Sequence, residues 1–141
     1  MPMQQVRFDP ARRNDFELVL EVGDTLSDEG LTRARLNGSG TLVVEQLYEK
    51  EKEQQFSGEL DRESTENLFR QASQFNWEQR FPSRRGLPDE AIVQWYLRER
   101  QGSTITLKVW LRDAEKPGPM AMVLAGLRKS VELLTSGKLY L

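Results

Sequence analysis

Residues 31–47 read LTRARLNGSGTLVVEQL, and the two glycines at the centre of the stretch decide how it folds. Hairpin loops of three residues commonly end in a glycine held in the left-handed conformation. Taking Gly38-Ser39-Gly40 as that loop sets Asn37 opposite Thr41. Leu36 then faces Leu42, Ala34 faces Val44, Arg33 faces Glu45 and Leu31 faces Leu47. Apolar residues meet on one side, and an ion pair between Arg33 and Glu45 is expected on the other. A slip of one residue would turn every side chain to the wrong face, so the pattern fixes the register.

A second stretch obeys the same rule. Residues 91–111 read AIVQWYLRERQGSTITLKVWL, with Arg100-Gln101-Gly102 as the loop. Glu99 then pairs with Ser103, Leu97 with Ile105, Trp95 with Leu107, Val93 with Val109 and Ala91 with Leu111. The opposite face carries Ile92, Gln94, Tyr96 and Arg98 against Thr104, Thr106, Lys108 and Trp110. Turn chemistry and apolar alternation agree, which is the mark of a specified hairpin.

Outward from these hairpins, Phe16, Leu18, Leu20 and Val22 alternate with Glu17 and Glu21, and predict a half-buried strand with Val19 as the exception. After the polar run Glu49–Gln55, Phe56, Gly58 and Leu60 return as a fourth strand or extended segment. Asp61 suits a helix N-cap, Glu63 suits the first turn, and Leu68, Ala72 and Phe75 form the stripe of a helix over 62–75. Residues 76–90, NWEQRFPSRRGLPDE, are the longest aperiodic stretch. The last helix opens at Gly118-Pro119, carries Met120, Val123, Leu124, Leu127, Val131 and Leu134, and stops at Gly137. Residues 1–14 show no periodicity and read as an arm ordered by docking. Residues 15–141 then form one α+β domain, an antiparallel sheet of about five to six strands with two main helices on one face.

Composition narrows the chemistry. The chain has 141 residues with no histidine and no cysteine, so imidazole and thiolate catalysis, zinc cages and disulfides are excluded. With 20 basic against 22 acidic residues, the net charge is −2, without the basic excess of a nucleic-acid binder. No stretch approaches the roughly 20 apolar residues of a membrane span. The start, MPMQQVRFDPARR, lacks the apolar middle of a secretory signal, so the cytoplasm is the expected compartment, with export left open by the lack of cysteine. No cofactor and no metal are expected.

Several local features have ordinary explanations. Gly38-Ser39-Gly40 lacks phosphate-loop spacing and reads as a turn. Glu45, Glu49, Glu51 and Glu53 are interleaved with lysines and read as a solvated hairpin rather than a cation site. The outward pairs Arg33/Arg35 and Arg98/Arg100 fit solvated strand faces. Two sets remain as candidate partner-binding residues. Ile92, Tyr96 and Trp110 share the non-core face of the second hairpin, which is either a contact surface or is covered by an element of the same chain. Trp77, Arg80, Phe81, Arg84 and Arg85 give the 76–90 loop the aromatic-plus-arginine composition of interface hot spots, although its aromatics could also fold back onto the preceding helix.

The order of signals resembles that of emfourin-type small bacterial domains, inhibitors of thermolysin-like metalloproteases. The resemblance rests on Gly30-Leu31 before the strand with Arg33, Gly58-Glu59-Leu60 before the capped helix, and Leu87-Pro88-Asp89 before the strand with Tyr96. The Thr104–Val109 strand and Pro119 complete it. It covers the scaffold over residues 30–134; residues 1–14 contain no glycine where that family has a glycine-rich signature, so no inhibitory residue is carried over. The expectation is a non-catalytic interaction domain of bacterial type, an inhibitor or immunity-like partner of another protein, acting as a monomer or weak homodimer. The alternatives are a small-anion binder using the 76–90 arginines, or a carboxylate-dependent enzyme.

Overall fold

Six strands alternate direction through one sheet: Phe16–Gly23 (β1), Leu31–Asn37 (β2), Thr41–Leu47 (β3), Lys52–Glu59 (β4), Ile92–Glu99 (β5) and Thr104–Trp110 (β6). Their order across the sheet is β4-β3-β2-β1-β5-β6, with every pairing antiparallel. The helices are Arg62–Ala72 (α1), Leu111–Ala114 (α2) and Pro119–Thr135 (α3). This computed structural model describes residues 8–23, 30–48, 52–81, 90–100, 102, 104–139 and 141.

Both hairpin registers are those expected, but the left-handed glycine is found only in the first loop: Gly102 is not at a positive φ, so apolar alternation rather than its turn glycine fixes the second register. Leu36 pairs with Leu42 and Ala34 with Val44; Leu97 pairs with Ile105, Trp95 with Leu107 and Val93 with Val109. Gly40 has φ 104, a conformation a side chain would disfavour, and its N–H closes the turn onto Asn37 O at 3.0 Å. Asn37 adds a side-chain brace, its Oδ1 accepting from Ser39 N at 3.1 Å and Thr41 N at 3.2 Å.

The core lies on one face of the sheet. Leu18, Leu20, Ala34, Leu36, Val44, Val93, Trp95 and Leu97 meet Leu68, Phe69 and Ala72 of α1 and Val123, Leu124, Leu127 and Val131 of α3. Asp61 caps α1 through a bond from Ser64 N at 3.0 Å. Hydrogen bonding from the Ser64 side chain first, and then from its backbone N–H, holds the Asp61 carboxyl below the usual carboxylate range.

Some boundaries differ from those expected. Helix α1 ends at Ala72, and Phe75 reaches the core from the turn beyond it, edge-on to Trp95 at 5.0 Å. Strand β4 begins at Lys52, inside the polar run, because an edge strand needs only one apolar face. Helix α3 stops through Ser136 at φ 54, one residue before Gly137. The segment read as an arm is packed from Phe8 onward. Phe8 stacks on Phe69 at 4.8 Å and meets Phe16 edge-on at 5.3 Å, and Pro10–Asp15 form a 3₁₀ turn capped by Asp9. Gly38 N–H to Phe16 O (2.9 Å) and Arg100 N–H to Asp15 O (2.7 Å) tie both hairpin tips to this segment.

Candidate functional site

Side chains of the second sheet face alternate with those of the core, so the register places them in rows. Arg35, Val19, Tyr96 and Thr106 form one row, and Arg33, Glu21, Gln94 and Lys108 form the next. Opposite charges lock neighbouring strands. Arg33 donates to Glu21 at 2.6 Å, Arg98 to Glu17 at 3.3 Å, and Arg35 pairs with Glu45 at 2.7 Å. Arg33 and Glu45 are direct Cα partners, as expected from sequence, but Arg33 turns to Glu21 on its other side and Glu45 engages Arg35 on the diagonal. Val19, the exception to alternation, is only 5% exposed here, covered by its long lateral neighbours rather than by the core.

Tyr96 sits inside this lattice. Burial first, and then its hydrogen bond to Glu21, push the phenol above its ordinary value. Folding therefore favours the protonated phenol. The stability this gives is complete below the unfolded tyrosine range near pH 10 and is lost as pH rises through the higher folded value. In spectrophotometric titration, Tyr96→Phe is expected to remove a phenol that ionises above the ordinary tyrosine range, and to flatten the alkaline fall in melting temperature.

The two candidate sets converge at one corner. Phe81 packs on Trp110 with ring centroids 5.1 Å apart, and Lys108 Nζ stands 5.0 Å over the Phe81 ring. Phe81 remains 38% exposed. Ile92 is the direct Cα partner of Trp110, so the corner is Ile92, Trp110, Lys108 and Phe81. Trp77 lies elsewhere. It stacks on Phe75 at 5.4 Å and donates its indole N–H to Ala72 O at 2.9 Å, which anchors the loop to the end of α1. Arg80 is exposed beside Phe81, and Arg84 and Arg85 lie outside the described residues. Sequence reading did not foresee that Lys108 joins the aromatic pair. Its place beside Trp110 on one strand face was the available signal.

The buried carboxylate Glu45 faces an arginine rather than a second carboxylate. Among the described residues no group of three acidic side chains is placed to hold a metal ion, and no helix is long and apolar enough to cross a membrane. Compared with known proteins, the sequence matches no family model and no curated relative.

Proposed function

We propose that this chain is a non-catalytic bacterial interaction domain of the cytoplasm. It binds another protein through the corner formed by Phe81, Trp110, Ile92 and Lys108, and acts as an inhibitor or immunity-like partner. The observation that carries this reading is the exposed Phe81 ring, held between Trp110 and the Lys108 ammonium on the face away from the helices. An aromatic already fixed by neighbours loses little freedom on docking, and aromatic residues with a nearby cation are typical binding anchors. Arg80 extends the same surface. The inhibitor role itself is what the emfourin-type scaffold implies.

A photo-reactive phenylalanine analogue at position 81 tests this in the native host. A discrete cross-linked protein is expected at 81 and none at Leu133, which is 73% exposed on α3. Phe81→Ala is expected to weaken binding of that protein about 30-fold, the effect of a hot spot. Its melting should stay within about 1 kcal/mol of the parent. Equal cross-linking at both positions, or none at either, would reject the reading.

A further inference from the structure

The outer side of β6 is built to pair with another strand. Leu111 N–H donates to Ala91 O at 3.0 Å, which sets the phase of the β5–β6 ladder. Ile105, Leu107 and Val109 therefore turn their backbone groups toward β5, while Thr104, Thr106 and Lys108 turn theirs away from the sheet. These three residues are exposed, and among the described residues no hydrogen bond reaches the outward backbone groups of Thr104, Thr106 and Lys108. The stretch TITLKVW has one charge and no proline, so it lacks most of the devices that keep edge strands apart. The opposite edge differs. The β3–β4 ladder has a register shift at Gln46/Leu47, and β4 carries exposed acidic Glu59.

We propose that β6 pairs antiparallel with β6 of a second copy of this chain, about a two-fold axis at Thr106. In that register Thr106 meets its own counterpart, and threonine pairs are favourable across strands. Thr104 meets Lys108 of the other copy, so no like charges are opposed. Trp110 meets Gly102, which has no side chain to obstruct it. Three hydrogen-bonded residue pairs give about six new backbone bonds. A register centred on Lys108 would oppose two ammonium groups, and one centred on Ile105 would form fewer bonds. The half-buried Ile105 becomes covered by the neighbouring copy's Leu107. Because one edge is used and the other is irregular, the assembly closes at two copies instead of growing into a fibre. This carries the sheet continuously through both copies and leaves the Phe81 ring outside the shared backbone ladder.

The lack of cysteine makes the test direct. Thr106→Cys places two thiols across a hydrogen-bonded strand pair, at about 5.5 Å between Cα atoms, within disulfide reach. Under mild oxidation it should yield a species of twice 16.3 kDa. It should form about 100-fold faster at micromolar protein than with Ser39→Cys, an exposed position on the first hairpin, because pairing raises the local thiol concentration. Thr106→Pro removes an outward N–H that β5 does not use, and should sediment as a monomer where the parent sediments as a dimer. Should the proline variant fail to fold, the cysteine comparison still decides. Equal cross-linking of the two cysteine variants, or a parent of single-chain mass at every concentration, would overturn the pairing.

Discussion

Trp95→Ala is expected to cost about 3–5 kcal/mol, the range for emptying a large aromatic site in a packed core. Trp95 is fully buried on β5, edge-on to Phe75, and paired between Leu20 and Leu107. At this chain length that loss lowers the melting temperature by roughly 10 °C or more, measurable by circular dichroism. Trp95→Phe should behave very differently. The indole N–H is buried and has no acceptor among the described residues, a state that costs about 1–3 kcal/mol. Phenylalanine gives up volume but removes that unsatisfied donor, so a net change of about 1 kcal/mol is expected. A drop for Trp95→Phe as large as that for alanine would show that volume alone decides at this site.

Gly38→Ala is expected to destabilise by about 3 kcal/mol. A Cβ at Gly38 would overlap the backbone carbonyl of Arg13, and a main-chain atom cannot rotate aside. The 3₁₀ turn must then lift from the hairpin tip, loosening the Phe8 contacts with Phe16 and Phe69. Trypsin should consequently cut faster after Arg12 and Arg13. Gly58→Ala provides the contrast. There the added carbon meets Leu134 Cδ1, the end of a side chain that can move, so a smaller loss is expected. Unchanged melting and trypsin sensitivity in Gly38→Ala would refute the tight packing of this segment.

What sequence could reveal here follows the range over which each signal acts. The hairpin registers were legible because a glycine and the residues it aligns lie within a few positions of one another, as with Gly40, Leu36 and Leu42. The short helix Leu111–Ala114 was not, since four residues carry no period, and Leu111 fits a strand pattern equally well. The 3₁₀ turn Pro10–Asp15 was hidden for the same reason. Val19 looked like an irregularity because alternation assumes one dry face. The ion-paired lattice around it makes the second face partly dry as well. At the candidate site, residue types were readable and the assembly was not. Nothing local to Phe81 announces Trp110 and Lys108, whereas the alternative of aromatics folding back onto the preceding helix holds for Trp77, whose indole reaches Ala72 only five residues away.

The position of β1 governs the order in which the molecule can assemble. Among the described residues its pairing with β5 is the only strand contact joining the four-stranded meander to the second hairpin, and it brings Leu20 to Trp95 across about half of the chain. Closing so long a loop costs about 3 kcal/mol more entropy than closing a three-residue turn. The meander and the second hairpin can each form through local contacts, whereas the part of the core that joins Leu20 to Trp95 needs this seam closed. The kinetic barrier to folding is therefore expected at the junction of β1 with β5. Substitutions along it are expected to slow folding, and those in the outer strands to speed unfolding, which stopped-flow refolding and unfolding rates would separate.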